Sequence, residues 1–402
     1  MSGSSLAISN LRGIVIVIVV AFHASLAYLA WLPAETGHFS QPPYTWQAFP
    51  IVDRERWMGF DLFCAWQDLS LMSLMFFLSG LLTAPSVRRK GSRTYIIDRV
   101  WRIGLPFALA IACLSPLAIF PIYLARTAEP TLAGFWQAWF SLPFWPSGPQ
   151  WFLWQLLVLS ALAATLHAVA PRSIDRLGRL AAWACERPAT LCAILIAASA
   201  LAYVPLALAY SPWAWGAVGP FSLQLSRPAH YLVYFFAGVA IGRHGLDRGL
   251  LACDGPLARN WISWLAAAVV AFFLWAGLTA LTMPDWSVAP FAAQLAASIA
   301  FSVACAMGCL VLLALCLRFS RERSAILDSL SAYAYSIYLV HYVFVVWLQY
   351  ALLGSDLHAI AKAAVVFGGA MIMSWAASVG FDRLVLSSPV LPLNRTPSPV
   401  PR

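Results

Sequence analysis

Apolar runs of about 20 residues recur along the chain, each long enough to cross a hydrocarbon core as a helix at about 1.5 Å per residue. They fall near 11–32, 61–84, 104–125, 149–170, 189–210, 229–243, 261–282, 290–317, 329–351 and 360–382. Lipid offers no hydrogen bonds to a backbone, so runs of this kind close their own bonds as helices. The pattern predicts an all-α integral membrane protein of about ten transmembrane helices, spanning residues 1–386 as one domain. An even number returns both termini to one side. The run at 229–243 is the weakest, and losing it would move every later loop to the other side. The first run, about 20 residues with a histidine inside it, reads as a retained span rather than a cleaved signal. Residues 387–402 carry five prolines and are expected to form a disordered tail.

Charge orients the predicted bundle. Of 25 Lys and Arg residues, all but Arg54, Arg56, Arg126, Arg227 and Lys362 fall at one set of loop ends. That set includes Arg88-Arg89-Lys90, Arg172-Arg176-Arg179 and Arg318-Arg321-Arg323. Basic residues collect in cytoplasmic loops, so both termini are expected in the cytoplasm, as in a multi-pass protein of the cell (inner) membrane. The net charge of +9 then reflects topology and calls for no nucleic-acid partner.

Composition agrees, with 61% hydrophobic and only 10% charged residues and a mean hydropathy of +0.77. The eight cysteines imply no disulfide framework. Cys305 and Cys309 stand one helical turn apart, and no histidine or carboxylate near them in sequence suggests a metal site. The long outer segment 33–60, with Pro33, Pro42, Pro43, Pro50, Tyr44, Trp46 and Trp57, reads either as an aromatic belt at the interface or as a cap over a pocket.

Ionisable groups within the spans carry the chemical information, because each is costly there unless paired or facing a polar cavity. Three of them stand out: His23, Asp68 and His341. Arg12 and His23 are eleven residues apart, which on a helix is about three turns and about 16 Å of height on one face. His341 lies at nearly the same depth as His23. Asp68 lies about 10 Å, and His23 about 13 Å, below the outer ends of their spans. Adjacent spans would let Asp68 fix the tautomer of His23 and raise its basicity. At the cytoplasmic edge Arg99 and Arg102 share a helix face. With Arg12 at the same level they would cradle a phosphate-rich ligand, although each alone also suits a charge anchor.

Several of these residues recur as a set: Arg12 with His23, Phe76-Phe77-Leu78-Ser79-Gly80, Arg99-Val-Trp-Arg102-Ile-Gly-Leu-Pro106, Trp151-Phe152-Leu153 and Ser336-Ile337-Tyr338-Leu339-Val340-His341. In this order the set resembles the acyltransferase 3 family of integral-membrane O-acyltransferases. It departs from the family in Tyr342-Val343, where a proline-containing turn is common, and in its long first outer loop.

The resemblance implies an acyl-CoA co-substrate, acetyl-CoA first and succinyl-CoA second, with its phosphates on Arg12, Arg99 and Arg102. Ser79 and Gly80 would lie beside the acyl channel, and no metal is implied. Polysaccharide O-acetylation is the implied kind of reaction, on a carbohydrate, lipid-linked glycan or other acceptor reaching the site from outside. His23 would act as general base or carry the acyl group itself, and His341 would orient the acceptor or polarise the thioester. The competing reading is a proton-coupled transporter or flippase, since buried His and Asp residues also build proton relays.

Overall fold

The computed structural model describes residues 3–31, 37–245 and 247–387, and the expected tail from 388 onward lies outside them. Nine helices among the described residues are long and apolar enough to cross a membrane. The chain runs α1 (Gly3–Ser25), α2 (Met58–Lys90), α3 (Ser92–Arg126), α4 (Leu132–Ser141), α5 (Trp151–Val169), α6 (Pro171–Cys185) and α7 (Pro188–Tyr210). A two-stranded antiparallel hairpin, β1 (Trp215–Val218) with β2 (Phe221–Gln224), pairs Trp215 with Gln224. Then follow α8 (Pro228–His244), α9 (Trp261–Thr282), α10 (Phe291–Phe319), α11 (Ala325–Ala351) and α12 (Ala359–Ser387).

The weak run at 229–243 is α8. At 17 residues it is about 25 Å long, slightly less than a hydrocarbon core. Its partner shows that it crosses the bundle. Asp68 meets Arg227, Ser73 meets His230 and Leu81 meets Gly242, so α8 runs parallel to α2 over most of its length. Glycine permits this packing. A Cβ on Gly80 would stand 2.1 Å from the Phe235 carbonyl oxygen, one on Gly238 2.1 Å from that of Phe77, and one on Gly242 2.0 Å from that of Leu81. Gly238 and Gly242, four apart, thus let two backbones touch as small residues do between membrane helices.

The pairings of α1 and α12 with α11 have the polarity that ten alternating crossings require. Ser9 bonds Ser331 and His23 meets His341, making α1 parallel to α11. Gly369 packs on Leu348 while Trp375 bonds Ser329, making α12 antiparallel to α11. Tyr333 reaches Asp382, so the end of α12 lies level with the start of α1. The described chain therefore starts and finishes at one end of the bundle. That end also gathers the arginine-rich turns, and α6 lies there against α8, with Arg243 holding Asp175 at 2.7 Å.

Helix α3 contains two five-residue π turns, Val100–Gly104 and Ala110–Leu114, each with a proline at the second residue beyond it, Pro106 and Pro116. Proline donates no bond and clashes with the carbonyl four residues back. The wide turn relieves both, with the Leu105 N–H reaching back to Val100 and the Ser115 N–H to Ala110. At the far end, residues 37–60 of the outer segment form a folded cap, and Pro33 lies outside the described residues. Trp46 is buried, stacks on Phe39 at 5.0 Å, and joins Phe144 and Tyr123 through Phe39 and its own ring. Lys362 and Asp53, both fully buried, pair at 2.8 Å and clasp the cap to α12.

Candidate functional site

α1 ends as an α-helix at Ser25 and tightens into a 3-10 turn at Leu26–Tyr28. Such an ending leaves carbonyls without helical partners. Gln349 of α11 takes two of them, donating Nε2 to the His23 oxygen at 2.9 Å and to that of Ala24 at 3.2 Å. Beyond the turn, the Asp61 carboxylate accepts from the amides of Ala30 and Trp31 at 2.8 and 3.0 Å. His23 therefore sits on a helix end fixed from two sides.

His341 faces it across the α1–α11 seam, with its Nε2 3.3 Å from Nδ1 of His23. Each ring is also held by its own helix: His23 Nδ1 lies 2.9 Å from the Val19 oxygen and His341 Nδ1 2.7 Å from that of Tyr338. A carbonyl can only accept, so both neutral rings carry their proton on Nδ1. His341 Nε2 is then an acceptor toward the His23 Nδ1–H, and the lone pair of His23 is left on Nε2. Tyr342 stands edge-on to His23, with ring centroids 5.4 Å apart. The Ser147–Gln150 turn at the mouth of α5 locks onto the same stretch of α11, with Tyr338 Oη donating to the Pro149 carbonyl and Gln150 Nε2 to that of Leu339 at 2.9 Å.

The two histidines expected at equal depth are thus brought together, but Asp68 does not join them. Its carboxylate is gripped by Arg227 through two bonds of 2.9 and 2.5 Å, and Arg227 also donates to the Asp68 carbonyl. Arg227 is almost wholly buried, with its guanidinium 5.1 Å from the Phe301 ring centre, so it needs a counter-charge and takes the nearest one. The orienting role expected of Asp68 falls geometrically to Val19 and His341.

The expectation that Cys305 lacks a histidine neighbour is also corrected. His230, fully buried, lies 3.4 Å from Cys305 and bridges Ser73 at 2.9 Å and Ser199 at 2.7 Å. The long-range fold, not the local spacing, supplies that contact. Among the described residues no three His, Cys, Asp or Glu side chains converge as metal ligands.

The arginines are less closely gathered. Arg12 lies on α1 level with the start of α11, as Gly13 against Leu327 and Ser331 shows. Arg99 precedes the first π turn of α3 and Arg102 lies within it, and Arg99 covers Tyr95 at 5.0 Å. No hydrogen bond or ring contact joins Arg12 to either of them; all three lie toward the arginine-rich end. Ser79, half-buried, donates to the Met75 carbonyl of its own helix at 2.9 Å. Its neighbour Gly80 makes the close approach expected of the pair, against α8.

Among residues the sequence reading missed, His230 and Arg227 left one signal: two polar residues three apart at the head of an apolar run begun by Pro228. Gln150 and Gln349 left none.

The helical bundle thus sets two histidines, each held by a carbonyl of its own helix, face to face across the α1–α11 seam. The model of the acyltransferase domain matches residues 5–379, nearly the whole chain, and the protein belongs to that acyltransferase 3 family. No curated relative and no solved structure matches it.

Proposed function

We propose that this membrane acyltransferase moves an acyl group, acetyl in the first instance and succinyl in the second, from acyl-CoA at the arginine-rich end to a hydroxyl of a carbohydrate, lipid-linked glycan or other acceptor entering from the opposite end. The observation that carries this reading is the His23–His341 contact, whose tautomers leave His23 Nε2 unprotonated. In one course Nε2 takes the acceptor's hydroxyl proton as the oxygen attacks the thioester carbonyl. The carbon–sulfur bond then breaks, and the proton passes to the CoA sulfur. As positive charge grows on His23, its Nδ1–H is bonded more strongly by His341 Nε2, the part a carboxylate plays in hydrolytic triads. In the other course Nε2 attacks first and CoA leaves as the thiolate; the acceptor hydroxyl then attacks the acyl-imidazole, Nε2 is freed, and the hydroxyl proton goes to the CoA sulfur. Arg99, Arg102 and Arg12 hold the CoA phosphates by charge-assisted hydrogen bonds. The basic end supports a cytoplasmic donor through the positive-inside rule and an inner-membrane location.

Thermal unfolding of the detergent-purified protein with acetyl-CoA, succinyl-CoA and CoA tests the donor. A ligand at about a hundred times its Kd adds roughly 2.7 kcal/mol, so the midpoint rises for the true donor. The rise is lost in the Arg99→Ala, Arg102→Ala double variant. No rise with any of the three removes CoA from the reading.

A further inference from the structure

A narrow fissure lies beside the stretch of α11 that carries His341. It is lined by Ser115 of α3, the Ser147–Gln150 turn, and Leu339, Tyr342 and Val343 of α11. Its volume is about 10 Å³, room for one water-sized group and no more.

Three of the side chains that line it carry an oxygen with no hydrogen-bond partner among the described residues. Gln150 is 4% exposed and its Oε1 is buried without a hydrogen bond. The assignment of that atom is not arbitrary: the other amide atom faces the Leu339 carbonyl at 2.9 Å, where only the NH₂ can sit. Ser115 Oγ and Tyr342 Oη likewise make no hydrogen bond, although both residues are buried. Ser115 is the residue that closes the second π turn of α3, and wide turns of this kind recur at functional sites. A buried amide oxygen left unpaired costs about 1–3 kcal/mol, and this one can only accept.

We infer that the fissure is the acceptor's hydroxyl site, resting on the acyl-transfer reading above. The incoming O–H donates to Gln150 Oε1, and its oxygen accepts from Ser115 Oγ or Tyr342 Oη. Tyr342 is also the residue whose ring meets His23 edge-on, so the hydroxyl is held here first and turns its O–H from Gln150 to His23 Nε2 as the reaction begins. A space this small takes the oxygen alone and leaves the carbon bearing it at the rim. The site therefore selects a hydroxyl on a slender arm, such as a hydroxymethyl group, over a secondary hydroxyl flanked by ring carbons.

Ser115→Ala and Tyr342→Phe each delete one unpaired oxygen and no internal hydrogen bond, so neither change disturbs folding. CoA release from acetyl-CoA is followed with glycerol, methyl β-glucopyranoside and myo-inositol as acceptor probes. The two probes with primary hydroxyls are expected to be used in preference to myo-inositol, which has only secondary ones. In both variants the acceptor KM rises about three- to tenfold, with the acetyl-CoA KM and the melting midpoint unchanged. An unchanged acceptor KM in both variants, or equal use of myo-inositol, overturns the assignment while wild-type turnover keeps the acyl-CoA reading intact. Wild-type protein that neither releases CoA with any probe nor is stabilised by acetyl-CoA defeats the acyl-CoA reading, and this assignment with it.

Discussion

His23 combines a lone pair on Nε2 with an Nδ1–H held by two acceptors, and removing the ring removes both. His23→Ala is expected to abolish acyl transfer while the melting midpoint stays close to wild type; normal CoA release from a folded His23→Ala protein would exclude the residue from the chemistry. His341→Ala keeps Nε2 of His23 but deletes one acceptor for its Nδ1–H. Its turnover is expected to fall about 10²- to 10⁴-fold, with donor KM little changed, in single-turnover assays.

Asp68 belongs to a different account. Asp68→Asn leaves Arg227 buried beside a neutral amide, and the carboxylate is half-exposed, which moderates the loss. About 1–3 kcal/mol of stability should go, read by thermal melting, with the rate per folded molecule within a fewfold of wild type. A fall of tenfold or more in that rate would return Asp68 to the reaction. The histidines were legible in sequence because depth in a span is a matter of counting residues from its ends. The partner of Asp68 was not, because which helices are neighbours, and how each is turned, is decided by packing between segments far apart in the chain. Cys305 and His230 illustrate the same limit, touching across 75 residues.

Among the elements, the α2–α8 pair has the least tolerance. Replacing Gly238 or Gly242 by Ala puts a Cβ within about 2 Å of a backbone oxygen on the other helix. Nothing flexible can give way, so either change should cost about 3 kcal/mol or more in thermal unfolding. Gly277 of α9, with no atom within 4 Å of its would-be Cβ, is the matched control. Gly277→Ala should leave the melt unchanged or slightly raised, since alanine is the better helix former. Equal effects at all three positions would mean that the close approach is unimportant. The apolar runs foretold these helices well, including the short α8, because length and hydropathy are local properties. They missed the start of α3 at Ser92: its first turns are polar, and they precede the run that marked the span.

For the whole molecule, ten alternating crossings put the start of α1 and the end of α12 at the arginine-rich end. Accessibility tags placed before Gly3 and after residue 387 should therefore react alike in sealed vesicles, and oppositely to a tag in the loop between α9 and α10. A split result for the two terminal tags would mean that α8 does not cross. The charge bias alone had fixed this arrangement only if the weakest run counted as a span. The parallel contacts between α2 and α8 supply what that count lacked.

The seam between His23 and His341 joins residues 318 positions apart, and the clasp between Asp53 and Lys362 joins residues 309 apart. During synthesis the first helix enters the bilayer long before either partner exists. The paired histidines can form only after the ninth crossing has been inserted, and Asp53 gains its counter-ion only with the tenth. On the proposed reading, a chain cut before the ninth crossing lacks the paired histidines and is expected to be inactive, while one cut before the tenth keeps the pair and loses the Asp53 clasp.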